Sequence, residues 1–256
     1  MDDAAAPIVI AGDLHGNLQW ARMLIRCART AGARTILQVG DLGVLWPGRD
    51  KGRFDAKLDK YLGGFGMDLV FIDGNHDNHR ELRQLDVDAD GLARVRDRIK
   101  YLPRAGRTTV QGLRIGGLGG AFSIDYKWRK AGVSWWPGIE EVEAEDVERL
   151  VAAGPLDILL THDAPAAVHL KSELELPEGT IARAQLSRDL LQRAVDHIRP
   201  ANVFSGHWHV RRIEALHHED GSESRVDVLN MDGSAAGNAV LVWPGECLKI
   251  EPLSVR

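Results

Sequence analysis

The chain has 256 residues, 44% hydrophobic and 27% charged, with a net charge of −5. No run of ~18 consecutive apolar residues offers a membrane span, and the composition argues against wholesale disorder. The acidic balance argues against a protein whose main task is to coat nucleic acid, because that affinity comes from many Lys and Arg contacts to phosphates.

Length and composition predict one compact α/β domain over residues 1–256. The start, MDDAAAP, is acidic where a signal peptide needs a basic segment followed by an apolar one, and the cysteines are only Cys27 and Cys247. Together these predict the reducing cytoplasm. Early β-rich runs, PIVIAG at 7–12, TILQVG at 35–40 and DLVFIDG at 68–74, are separated by helical patterns, which predicts parallel strands with crossover helices. The first helix is expected over 18–31, capped by Asn17 and stopped by Gly32. LRIGGL (113–118), DILLTH (157–162) and ANVFSGH (201–207) continue the strand series, with helices expected at about 140–153 and 180–197. Past residue 209, RIEALHHE, RVDVLN and NAVLVW are separated by turn residues, so the C-terminal third is expected to be largely antiparallel. Two charged stretches, acidic at 139–148 and basic at 92–107, read as solvated faces. The segment 119–138, GGAFSIDYKWRKAGVSWWPG, reads as a long loop carrying three of the seven tryptophans.

Five blocks share one design, a β run followed at once by side chains able to bind metal. They are Gly12-Asp13-Leu14-His15-Gly16, Gly40-Asp41-Leu42, Gly74-Asn75-His76-Asp77, Thr161-His162-Asp163 and Gly206-His207-Trp208-His209. The carboxyl ends of parallel strands share one edge of a sheet, where α/β folds place their ligands, so distant residues converge there. If the backbone is extended, Asp13 with His15, and His207 with His209, each face one centre. Taken alone, Asp41 reads as a turn or cap and His162 as a hydrogen-bonded loop histidine; the conjunction of blocks carries the argument. Oxygen and imidazole donors without thiolate suit manganese, iron, zinc, nickel or cobalt ions.

The ordered set GDLHG, GDL, GNHD, THDAP and GHWH resembles the calcineurin-like metallophosphoesterase superfamily over residues 12–209. The resemblance implies a four-layer α/β/β/α sandwich with two mixed sheets and a two-metal site at the strand ends. It implies Asp13, His15 and His209 on one ion, Asn75, His162 and His207 on the other, and Asp41 bridging both. It also implies His76 as the catalytic histidine, with Asp77 as the carboxylate that orients it. A further metal ligand is the other reading of His76, set aside because neighbours in extended chain face opposite sides. Protein serine/threonine phosphatases of the superfamily read GDxVDRG and GNHE where this chain reads GDLGVLW and GNHD, so the arginine with which they grip phosphate is absent. THDAP also departs from the commoner GHxP form, which leaves the role of Asp163 open.

Two divalent ions, manganese first among the candidates, would supply hydroxide near neutral pH and clamp attacking and leaving oxygens in an in-line displacement at phosphorus. The sequence therefore reads as a binuclear metal-dependent phosphohydrolase, a phosphodiesterase acting on nucleotides or other small phosphate diesters, with nucleic-acid ends included. A phosphomonoesterase is the alternative, and a catalytically silent binding scaffold is the rival from another class. A zinc peptidase or deacetylase would need a water-activating carboxylate near a single ion, and the sequence has no HExxH helix or equivalent. In the 119–138 loop, Arg129, Trp135 and Trp136 are expected to select the ester, the competing reading being that the tryptophans cover a core or an interface. Nothing in the sequence marks an oligomeric state.

Overall fold

The structure, a computed structural model, describes residues 6–171 and 174–255. Strands β1 (Ile8–Ala11), β2 (Thr35–Gln38) and β3 (Asp68–Phe71) alternate with helices α1 (Leu18–Thr30) and α2 (Arg53–Phe65). Helix α1 forms where expected: Asn17 Oδ1 accepts the Trp20 N–H at 3.1 Å, and the buried Ala21, Leu24, Ile25 and Ala28 recur at helical spacing. Further along come α3 (His79–Leu82), β4 (Ala93–Arg94), β5 (Ile99–Tyr101), β6 (Arg107–Val110), β7 (Leu113–Leu118) and α4 (Ala144–Ala152). The series closes with β8 (Ile158–Thr161), α5 (Glu178–Ile198), β9 (Asn202–Ser205), β10 (Arg212–His217), β11 (Glu223–Val228), β12 (Ala239–Trp243) and β13 (Lys249–Pro252).

The strands form two mixed sheets, in the orders β13-β12-β1-β2-β3-β5-β4 and β10-β11-β9-β8-β7-β6. They stack face to face. Alternation along β1 shows how: Ile8 and Ile10 turn inward onto Ile115, Ile158, Leu160 and Phe204 of the other sheet, while Val9 and Ala11 turn outward onto the side covered by α1 and α2. Helices α4 and α5 cover the second sheet through Val147, Leu150, Leu191 and Val195. The result is the expected four layers, α/β/β/α. With both faces covered, central strands such as β1 and β8 are buried along their whole length, which explains the unbroken apolar runs at those places in the sequence.

Three details differ from the expectations. In the C-terminal third β11 lies parallel to β9, and β12 leaves that sheet to pair antiparallel with β1, Ile8 opposite Val242. The basic stretch is a solvated face only in part: Arg94, Arg96 and Arg98 keep 61%, 39% and 43% of their side chains exposed, but it also holds β4 and β5, with Ile99 and Leu102 fully buried, and it sinks the Arg104 side chain to 6% exposure against Asp73. The acidic stretch likewise buries Glu140 and Asp146. Among the described residues no helix is long and apolar enough to cross a membrane.

Candidate metal centre

The parallel runs β1-β2-β3 and β8-β9 deliver all five blocks to one edge of the sandwich, and loop hydrogen bonds lock them together. The backbone N–H groups of Leu14 and His15 donate to the Asp41 carbonyl at 3.1 and 2.8 Å, and Gly206 N–H donates to the His162 carbonyl at 2.9 Å. The blocks are turns rather than extended chain. His15, Asp41, His207 and His209 have φ of 44°, 58°, 64° and 54°, so the left-handed backbone, and not strand alternation, aims these side chains.

Two groups of donors are implied by this packing. Asp13, His15 and His209 bring one ligand atom each within 4.8 Å of one another, with His209 Nε2 3.1 Å from Asp13 Oδ2. Asp13, Asp41 and His162 form a second group of the same kind, so Asp13 as well as Asp41 lies between the two. His162 Nε2 sits 3.5 Å from Asp41 Oδ2 and 3.1 Å from Asn75 Oδ1, and the His207 ring lies 5.1 Å from that of His162. Asn75 Nδ2 donates to Ser123 Oγ at 3.2 Å, leaving its carbonyl oxygen for the centre.

The donor set fits divalent ions. Asp13 and Asp41 are both 1% exposed, and two buried carboxylates this close repel each other unless positive charge lies between them. The tautomers agree. His162 Nδ1 lies 2.8 Å from the Val39 carbonyl, an acceptor only, so Nδ1 carries a hydrogen and Nε2 is the atom turned to Asp41 and Asn75, open to a metal that displaces its proton. His15 Nδ1 is likewise 2.9 Å from Asp232 Oδ1, with its Nε2 3.6 Å from Asp41 Oδ2 and 3.9 Å from Asp13 Oδ2. Burial disfavours charge on both rings, yet the facing carboxylates outweigh it and raise His15 to about 9 and His162 to about 10. The protein thus attracts positive charge at the two positions a metal would fill. His207 is shifted down, chiefly by burial.

His76 needs two corrections. Residues 75–77 form a turn, so the alternation that separated His76 from the ligands does not apply, and its Nε2 joins His15 and Asp41 in a third group of donors within 4.8 Å. Asp77 does not face the ring: its carboxylate accepts the backbone N–H groups of Asp41, Gly43 and Gly74 at 3.0, 2.8 and 2.9 Å, tying the second block to the third. Burial, then the Asp41 charge, pushes Asp77 up to about 7. His76 is held instead by Trp46, whose indole N–H donates to the His76 carbonyl and whose ring stacks on the imidazole at 12°, and by Arg129, whose Nη2 is 2.5 Å from His76 Nε2. Burial, with Arg129, outweighs Asp41 and lowers the His76 pKa.

Of the three loop residues expected to meet substrate, Arg129 reaches the centre and the tryptophans divide. Trp136 is 2% exposed, packed against Trp46 and His79, so it has no face left for a ligand. Trp135 is half-buried; its N–H donates to Glu140 and its ring leans on Tyr126. Asp163, left open before, accepts Trp208 Nε1 at 2.7 Å and so holds the residue between His207 and His209. Asp232 and Asn17 were missed. Asn17 Nδ2 donates to Asp232 Oδ2 at 2.7 Å while Asp232 orients His15, and the only trace in the sequence is a polar turn, NMDG, after a strand.

Comparison with known proteins gives the same reading. Lariat debranching enzymes of Danio rerio and Homo sapiens are each 27% identical over 165 and 167 residues, 59% of this chain. The match spans only 28% and 29% of their own lengths. In structure, a Thermus thermophilus protein aligns with a TM-score of 0.61 at 17% identity, covering 98% of this chain and 99% of its own. A dimetal phosphatase from Danio rerio aligns at 0.58 and 11%, covering 99% and 100%. At those identities the likeness is one of fold. The family model for calcineurin-like phosphoesterases matches residues 6–211, from the first strand to beyond both histidines of the last block, and on that match the chain belongs to the calcineurin-like phosphoesterase family.

Proposed function

We propose that this phosphoesterase is a binuclear metal-dependent phosphodiesterase acting on nucleotide or nucleic-acid diesters in the cytoplasm. Asp13, His15 and His209 would hold one ion, Asn75, His162 and His207 the other, with Asp41 shared. Two divalent ions, manganese first by donor type, would supply Lewis-acid polarisation of the phosphoryl oxygens and a hydroxide nucleophile near neutral pH.

The observation that carries the preference for diesters is the placement of Arg129. Its Nη2 reaches His76 Nε2, but its Nε is paired with Asp125 Oδ1 at 2.6 Å, so the guanidinium adds little net charge. Two +2 ions, two aspartates and one hydroxide sum to about +1, which suits the single charge of a diester. Lariat debranching relatives support a nucleic-acid diester among the candidates.

Arg129 can only donate, so His76 Nε2 accepts and the resting imidazole is neutral. A phosphate oxygen arriving at Arg129 takes over that N–H. His76 Nε2, released beside the incoming anion, then takes up a proton and delivers it to the leaving oxygen, a contribution typically on the order of 100- to 10,000-fold.

The test compares His76→Ala on two thymidine diesters, one with a nitrophenolate and one with an alkoxide leaving group. Bound metal should stay at two ions, and the loss of turnover should be far larger for the alkoxide, which needs the proton more. Equal losses on both, or loss of an ion, would remove the acid role and make His76 a ligand. A wild-type enzyme that hydrolyses nitrophenyl phosphate faster than the nitrophenyl diester would overturn the diester preference.

A further inference from the structure

Between the 119–138 loop and the start of α5 lies a cleft of about 450 Å³ that none of the candidate metal ligands lines. That volume lies within the range of about 300–1,000 Å³ typical of small-molecule sites. Its floor is aromatic. The Tyr126 ring lies 5.7 Å from Phe122 and 5.4 Å from Trp135, tilted by 51° and 39°. Its rim carries Lys127, with Nζ 5.9 Å from the centre of the Tyr126 ring, and Arg183, whose guanidinium is half exposed and paired at 2.9 Å with Glu141 outside the cleft lining. A core cluster would not carry two exposed cations at its edge.

The cleft adjoins the centre on two sides. Phe122 is followed by Ser123, whose hydroxyl accepts from the ligand candidate Asn75 at 3.2 Å. Tyr126 opens a single 3-10 turn, Tyr126–Trp128, and the next residue is Arg129, 2.5 Å from His76. An ester whose phosphate lies at Arg129 therefore has its substituent beside Tyr126. The turn itself alternates ring and cation, Tyr126-Lys127-Trp128-Arg129-Lys130, and Trp128 is 85% exposed. Aromatic faces that accept any base, interleaved with cations that follow a backbone, are what binding of single-stranded nucleic acid requires.

We propose that this cleft is a nucleobase subsite for single-stranded nucleic acid, with one base on Tyr126 and Trp135, a neighbouring phosphate at Lys127 and Arg183, and the next base on Trp128. This rests on the phosphodiesterase reading of the metal centre and names its substrate class.

Three probes separate the two. They are methyl nitrophenyl phosphate, the nitrophenyl ester of thymidine 5′-phosphate, and a fluorescent single-stranded tetranucleotide. Tyr126→Leu keeps bulk but removes the ring, and should raise KM for the thymidine ester and the tetranucleotide roughly ten-fold or more. Trp128→Ala, on the open surface and harmless to folding, should raise KM for the tetranucleotide alone, and neither variant should alter hydrolysis of the methyl ester. Equal effects on all three probes, or none on any, overturn the subsite. A Tyr126→Leu effect confined to the thymidine ester makes the occupant a free nucleotide and overturns the nucleic-acid assignment. If no probe is hydrolysed with any metal, anisotropy of the labelled tetranucleotide decides: binding weakened by both variants keeps the subsite while the catalytic reading falls, and binding unchanged by them overturns it.

Discussion

The left-handed backbone at His15, Asp41, His207 and His209 costs roughly 1–3 kcal/mol per non-glycine residue and persists only where neighbours hold it. Strand alternation pointed to these side chains for a reason that does not hold, because what converges them is a set of strained turns past the strand ends. Glycine enters the site through space more than through conformation. A Cβ at Gly206 would meet Asp13 Oδ1 at 2.2 Å and Val39 Cγ2 at 3.1 Å. Gly206→Ala should therefore displace Asp13 and cost one bound ion by elemental analysis, with the far-UV circular dichroism unchanged; full metal content would refute this close-approach role. Asp232 acts through His15, holding the ring so that Nε2 faces the centre. Asp232→Ala should weaken metal affinity by roughly 10–100-fold in calorimetric titration, and Asp232→Asn, with one acceptor oxygen retained, should weaken it less. Identical losses for the two would point to general damage instead. The candidate ligands were legible because each follows a β run in a stereotyped block, whereas Asp232 was not, since a lone aspartate in a polar turn carries no mark of what it faces.

At the scale of elements, one buried carboxylate and one buried guanidinium fasten the 119–138 loop. Glu140 accepts the Ser123 and Trp136 backbone N–H groups at 3.0 and 3.3 Å and the Trp135 indole at 3.1 Å, closing the loop on itself. Arg104 donates to the Glu140 carbonyl at 2.9 Å and pairs with Asp73 at 2.6 Å, tying the closed loop to the end of β3. Neither link was legible, because a charged stretch read without its partners looks solvated; Asp73 and Glu140, which bury Arg104, lie outside that stretch. Burial opposes charge on Asp73, but Arg104 and His79 outweigh it and hold the carboxyl well below its usual range. A carboxylate depressed in the folded chain contributes stability that is fully present above its unfolded value of about 3.9 and lost as pH falls through the folded one. Arg104→Met strands that charge, so it should cost about 3–5 kcal/mol at pH 7. The cost should shrink near pH 3, where Asp73 without its partner takes up a proton. Urea denaturation at the two pH values measures the difference, and equal losses would mean that packing, not charge, is what Arg104 supplies.

For the whole molecule, the sandwich puts candidate metal ligands from both sheets on one rim, so bound ions should fasten the sheets together as well as serve chemistry. Ions that bind only the folded chain stabilise it by about 2.7 kcal/mol per site at a hundred times Kd, or about 5–10 °C for a chain of this size. Calorimetric scans with manganese and with a chelator should differ by at least that much, and coincident transitions would show that the sheets need no metal to stay joined. The four-layer plan came from the family resemblance of the five blocks, and strands alternating with helices foretold only its parallel strands with crossover helices. The path of β12 was not legible, since Ala239–Trp243 is an apolar run equally fit for either sheet.

That path has a consequence for the order in which the molecule can be built. Ile8 pairs with Val242, Gly12 N–H donates to the Asn238 carbonyl at 2.8 Å, and Asp232 N–H donates to the Asp13 carbonyl at 2.8 Å. On the ribosome, the first strand is made early but must wait for nearly the whole chain before its second neighbour emerges, and contacts of such long range form slowly. Until residues 230–242 are synthesised, β1 has one bare edge and His15 lacks the carboxylate that turns it. The earliest candidate ligands made are thus among the last to be set, and a nascent chain stalled short of β12 would carry every candidate ligand yet lack a finished metal centre.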